Sequence, residues 1–148
     1  MEELYLQYHN LNKEYKRAKR EYEKALEKKA LYLYSVLPGS TDFSKEKMTE
    51  TVSDKFLNYT IKIAEIDKEI EVRRKLSDNL LYRTKLKGLE LRDSKELIDR
   101  IYVYYFIDRI SVRKFCRLLN YSKSQVYRMI EEIEKKLKLG QNGTNGGL

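Results

Sequence analysis

The sequence predicts an all-α fold: a long, coiled-coil-like antiparallel helical hairpin at the N-terminus, followed by a small C-terminal helix-turn-helix domain. Three observations lead there. The 148 residues include one proline, six glycines and no tryptophan, so helix breakers are scarce. Apolar residues recur at alternating spacings of four and three along much of the N-terminal half. Further on, Ser111 to Ile130, "SVRKFCRLLNYSKSQVYRMI", meets the positional demands of two short helices joined by a tight turn.

The first helix is expected from Met1 to Leu37, with Leu4, Tyr8, Leu11, Tyr15, Ala18, Tyr22 and Ala25 as its seam. At ~1.5 Å per residue it would be roughly 50 Å long and would need a partner helix to cover it. Pro38 and Gly39 stop it, "PGSTDFSK" is the loop, and Ser44 with Glu46 opens the next helix. A second seam runs Val52, Phe56, Tyr59, Ile63, Ile66 and Ile70, then through Leu76 or Leu80 toward Leu86, with Gly88 as the stop. Two long helices joined by such a loop pack antiparallel, which makes residues 1–88 a hairpin. The 13 tyrosines could serve as stacking platforms for bases, but their heptad placement in the first helix favours packing with the hydroxyls reaching water.

Residues 94–139 form the second expected domain. Asp93 or Ser94 caps "SKELIDRIYVYYFIDRI", whose stripe Leu97, Ile98, Ile101, Tyr102, Tyr105 argues for a helix although Ile101–Ile107 alone could be a strand. In the motif that follows, Phe115, Leu119 and Tyr121 are expected to face inward, and Cys116 takes a close-crossing slot that needs a small side chain. Asn120 stands at the turn position that favours φ > 0. Ser122 is placed to N-cap the second helix, and Val126, Met129 and Ile130 continue it toward the core. That helix is expected to end at Leu139, leaving 140–148, "GQNGTNGGL", as a disordered tail.

Charge points to an anionic partner. Lys and Arg number 31 against 23 Asp and Glu, a net +8. From Ser111 to Ile130 the charged residues are Arg113, Lys114, Arg117, Lys123 and Arg128, with no Asp or Glu among them. On the second helix Lys123, Ser124, Gln125, Tyr127 and Arg128 point away from the apolar face, as side chains that read base edges do. Arg113, Lys114, Arg117 and Ser122 are placed to hold phosphates. A solvated basic helix pair is the plainer alternative.

Catalytic chemistry is missing from the pattern. His9 stands alone near the end of a helix and is expected as an exposed surface residue. Cys116 has no partner for a disulfide or metal site, and no phosphate-binding glycine loop or nucleophile elbow is present. No catalytic residue, metal or cofactor is expected. Without an apolar run of membrane-spanning length, and with a charged start that is unlike a signal peptide, the chain is expected in the cytoplasm with no membrane partner.

From about Ser94 to Leu139 the chain resembles the sigma-70 region 4 type of helix-turn-helix, carried by "YYFIDRIS" and "VRKFCRLLNYSKSQVYRMIEEIEKKL". With the charged hairpin containing "LPGSTDFSKEKMTETVSDKFLNYTIKIAEIDKEI", the whole resembles the small phage regulators of the ArpU/RinA type. That resemblance implies a sequence-specific transcriptional regulator of late packaging and morphogenesis genes, with double-stranded DNA as partner. The hairpin would then serve homodimerisation or contact with host RNA polymerase. Two other readings carry different assemblies. A phage small terminase subunit would form a ring, although its usual order places the DNA-binding element first. A coiled-coil adaptor that binds no DNA would leave the acid-free window unexplained.

Overall fold

The computed structural model describes residues 2–36 and 52–146, and every regular element in them is helical. Helix α1 spans Leu4–Ser35, α2 Val52–Asp93 and α3 Leu97–Tyr102; a π-helical turn Val103–Ile107 follows, then α4 Val112–Leu119 and α5 Lys123–Gly146. The expected loop at Pro38–Gly39 and the Ser44 and Glu46 start signal lie outside the described residues. The chain divides into two compact units, Asn12–Tyr82 and a discontinuous one made of Met1–Leu11 with Arg83–Leu148. The boundary expected between residues 88 and 94 therefore moves. The first turns of α1 and the last turns of α2 belong with the C-terminal helices.

In the unit Asn12–Tyr82, α1 and α2 pack as an antiparallel hairpin. Ala18 and Ala25 are buried on α1, Ile66, Ser77 and Leu80 on α2. Ala18, Ala25 and Ser77 are small and leave room on the seam for the larger Ile66 and Leu80. Tyr32 stacks on Tyr59 with ring centroids 6.0 Å apart. Arg73 donates to Glu21 at 2.6 Å, Lys29 pairs with Asp67 at 2.6 Å and Lys28 with Glu69 at 3.5 Å. These pairs fix the opposite chain senses, but exposed ion pairs contribute only about 0–1 kcal/mol each. The α2 seam departs from expectation at Phe56, which faces solvent, and of the alternatives Leu76 and Leu80 it is Leu80 that is buried. The inner face follows Ile66, Ile70, Arg73, Ser77 and Leu80, so Leu76 falls on the outer flank beside the small Ser77 that takes its place.

The other unit is built around a single apolar cluster that includes Tyr5, Leu91, Ile101, Phe115, Val126 and Ile133. Tyr5 and Phe115 are fully buried. Tyr102 is the hub, 5.4 Å from the ring of Tyr5, edge-on to Tyr8 and stacked on Phe106 at 5.3 Å. Burial pushes the Tyr102 hydroxyl pKa well above its ordinary value, as it does for Tyr5, which also sits beside the Glu3 carboxylate. His9 is half-buried rather than exposed, with Nδ1 3.2 Å from the Tyr102 hydroxyl. Lys136 of α5 donates to Glu3 at 2.5 Å; this bond lowers the Glu3 pKa and raises that of Lys136.

Gly88, expected as a stop, lies inside α2. A Cβ there would come within 3.2 Å of the Tyr8 ring, so the glycine makes room for a close approach and the helix bears the loss of propensity, about 1 kcal/mol. Leu86, expected in the seam, is exposed, and Thr84 is buried instead. Helix α3 begins at Leu97 without a side-chain cap on Glu96. Ser94 is used elsewhere: its hydroxyl donates to Asp99 at 2.6 Å and accepts the Glu96 N–H at 3.3 Å.

The expected single helix through Ile110 ends sooner, in the π-turn, closed by the Asp108 N–H on the Val103 carbonyl at 2.8 Å. Widening the turn brings consecutive side chains closer in angle, and both Tyr104 and Tyr105 reach Phe115, at 5.9 and 6.5 Å between centroids. Arg109, at φ 53°, then turns the chain toward α4. At the far end α5 continues past Gly140 to Gly146, in place of the expected stop at Leu139 and disordered tail. Glycine weakens a helix but does not forbid it.

Candidate nucleic-acid interface

The candidate interface comprises α4, the turn Asn120–Ser122 and the first turns of α5. Helix α4 buries Val112, Phe115 and Cys116, with Leu119 half-buried, all on one face. This leaves Arg113, Lys114 and Arg117 exposed on the opposite face. Asn120 ends the helix in the left-handed conformation, φ 59° and ψ 39°, as the turn requires. The N–H groups of Asn120 and Tyr121 both reach the Cys116 carbonyl, the latter at 3.2 Å, which closes the last turn. Tyr121, expected to face inward, is 43% exposed. Reversal of the chain at Asn120 swings the next side chain out, and Phe115 with the two tyrosines of the π-turn already fills the space.

Ser122 caps α5, and the cap is reciprocal. Its Oγ accepts the Gln125 N–H at 3.3 Å, while Gln125 Oε1 accepts the Ser122 N–H at 3.2 Å and its hydroxyl at 3.0 Å. This is a capping box, in which each side chain satisfies a backbone donor of the other residue. Gln125, expected as a base reader, has its amide oxygen turned back onto the cap. Bidentate bonding to adenine needs that oxygen and the amide nitrogen together. Val126, Ile130 and Ile133 anchor α5 in the core, with Met129 half-buried beside them. Lys123, Ser124, Tyr127 and Arg128 are exposed. At ~100° per residue, Ser124 and Arg128 lie nearest the middle of the outward face, with Lys123 and Tyr127 on its flank.

Among the described residues, no ion pair uses Arg113, Lys114, Arg117, Lys123 or Arg128. Five cations are therefore left for an outside anion, with no carboxylate between Ser111 and Ile130. Acids resume at the exposed pair Glu131 and Glu132, which confines the phosphate-compatible surface of α5 to its first two turns. Exposed Tyr121 escapes a reading by period, although a tyrosine beside a cap serine is visible in the sequence. The Ser122-x-x-Gln125 spacing likewise carries the whole box, of which the serine is the half that stands out.

Cys116 is a buried free thiol. Among the described residues no group of three or more His, Cys, Asp or Glu could hold a metal ion, and no helix is long and apolar enough to cross a membrane. No family model, curated protein or solved structure matches the chain, so what this surface does is argued from its own residues.

Proposed function

We propose that this protein is a sequence-specific, double-stranded-DNA-binding transcriptional regulator that works in the cytoplasm without a cofactor or catalytic step. The carrying observation is the left-handed turn at Asn120 leading into a capped, acid-free start of α5. Such a helix can enter the major groove by its N-terminal turns. Arg128 then offers a bidentate pair of donors to guanine, Ser124 a short-range bond to either class of base, and the Tyr127 ring an apolar contact for a thymine methyl. Lys123 and the exposed cations of α4, Arg113, Lys114 and Arg117, hold phosphates and set the register. Ser122 and Gln125 keep the helix start rigid. The resemblance to phage late-gene regulators makes packaging and morphogenesis genes the targets, with the hairpin serving assembly or contact with RNA polymerase.

Selection from random DNA with the purified chain tests this. A defined motif should emerge, and Arg128→Ala should flatten the preference within it. Arg113→Ala or Lys114→Ala should weaken all DNA alike and reduce the salt slope by about 0.9 for each phosphate no longer neutralised. If no motif is enriched and Arg128→Ala is neutral on every DNA, the proposal fails. A ring of many subunits on a packaging site would point to the terminase reading.

A further inference from the structure

The outer face of α2 in the unit Asn12–Tyr82 carries a pattern that reads the same in both directions. Leu57, Ile61, Glu65, Lys68, Val72 and Leu76 are separated by steps of four, four, three, four and four. All six are exposed, and at ~100° per residue they fall within an arc of roughly 100° on one side of the helix. The face turned to α1 holds Ile66, Ser77 and Leu80 instead. The four aliphatic side chains are between 48% and 62% exposed, which is uneconomical for a helix that meets only water there. A shallow groove bounded by Glu65, Lys68, Glu69, Val72, Arg73 and Leu76 lies along the same stretch. Among the described residues no ion pair uses Glu65 or Lys68, whereas Glu69 and Arg73 are engaged with the hairpin.

We propose that this face is a homodimer interface, occupied by α2 of a second copy running antiparallel about a two-fold axis between Glu65 and Lys68. The charge order selects the occupant. Under that axis Glu65 of each copy faces Lys68 of the other, Ile61 faces Val72, and Leu57 faces Leu76. A parallel copy would set Glu65 against Glu65 and Lys68 against Lys68, which repel. A two-fold contact uses one patch on both subunits, and a palindromic stripe is the sequence form of that requirement. The inference does not depend on the DNA-binding reading.

Sedimentation equilibrium of the full chain over a micromolar concentration range tests it. The wild-type chain should show the mass of a dimer. Ile61→Asp or Val72→Asp should raise the dissociation constant at least about a hundredfold, because a carboxylate would be buried against aliphatic groups. Far-UV circular dichroism should not change, since both side chains are exposed in the single chain. Glu65→Lys and Lys68→Glu should each weaken the dimer about tenfold by placing like charges at the axis, and the combined E65K/K68E chain should recover it. That recovery needs no change at an aliphatic position, so it stands even if an aspartate variant unfolds. A monomeric wild-type chain would leave the face to an unlike partner and overturn the proposal. So would a dimer indifferent to all these changes, or a double exchange no better than either single one.

Discussion

Removing the Ser122 hydroxyl separates capping from reading. In the structure Ser122 and Gln125 satisfy each other's backbone: Ser122 Oγ takes the Gln125 N–H at 3.3 Å and Gln125 Oε1 takes the Ser122 N–H at 3.2 Å. Both residues are exposed, so water partly replaces a missing bond and the cost falls in the capping range, about 0.5–2 kcal/mol for Ser122→Ala. Gln125→Ala removes the other arm, but alanine's higher helix propensity offsets part of the loss, so it should cost less, about 0.5 kcal/mol. Because the two arms form one box, the double variant should be little worse than Ser122→Ala alone, where independent contributions would add. In thermal melts followed by circular dichroism the expected drop for Ser122→Ala is roughly 2–8 °C. On DNA, Gln125→Ala should lower affinity slightly and equally for the selected motif and scrambled sequence, because a loosened helix start harms both. The box has no such role if Ser122→Ala melts with the wild type, or if Gln125→Ala leaves stability alone and flattens base preference. The second result would mean that the box opens on DNA and Gln125 reads adenine after all.

Three further outcomes follow from the packing and charges. Cys116 should react with thiol reagents slowly in the folded chain and quickly in urea; Cys116→Ala should be nearly neutral, and Cys116→Leu should cost about 1–3 kcal/mol by overpacking the α4–α5 crossing. Gly88→Ala should stay within about 1 kcal/mol of wild type in urea unfolding, because helix propensity offsets the Tyr8 contact, whereas Gly88→Leu should cost about 1–3 kcal/mol. Stability should fall at both pH extremes. Glu3, its pKa depressed by Lys136, contributes above the ordinary carboxylate range and loses that contribution as pH drops through its folded value. Lys136, Tyr5 and Tyr102, all raised, contribute below the ordinary lysine and tyrosine range and lose it as pH rises through theirs. Urea midpoints across pH should show both limbs, and Glu3→Gln should flatten the acid one.

What can be read from the chain is what local spacing encodes. The α1 seam through Ala18 and Ala25, the Asn120 turn, the buried Cys116 and the inward Val126 and Ile130 all follow from period, steric preference or capping chemistry, and the structure places them so. The misses have a different origin. Tyr5 is fully buried although the heptad rhythm singles out Leu4 and Tyr8 on either side. Its burial comes from Tyr102 and α5, which a period measured within one helix cannot register. Gly88 reads as punctuation because its tolerance inside α2 depends on a ring from another helix. The π-turn shares its apolar run with an ordinary helix and is decided by how Tyr104 and Tyr105 meet Phe115. In the site, the Gln125 amide suits adenine by its chemistry, while the serine three residues earlier competes for the same atoms.

The discontinuous unit also sets a clock on synthesis. Glu3 and Lys136 meet across 133 positions, and the ring of Tyr5 waits for Tyr102 before it can be covered. Closing contacts of such separation is slow in any chain, and here Lys136 is made 133 residues after Glu3. At about 5–20 residues per second the ribosome needs roughly 7–27 s to travel from one end of that tether to the other. Within this interval the residues of the unit Asn12–Tyr82 are complete before Tyr102 is made, whereas the first turns of α1 meet Gly88 and then Tyr102 as these appear, and Lys136 last. A chain that stops just short of Lys136 therefore has the ring partners of Tyr5 and Tyr8 but lacks the cation that ties Glu3 to α5.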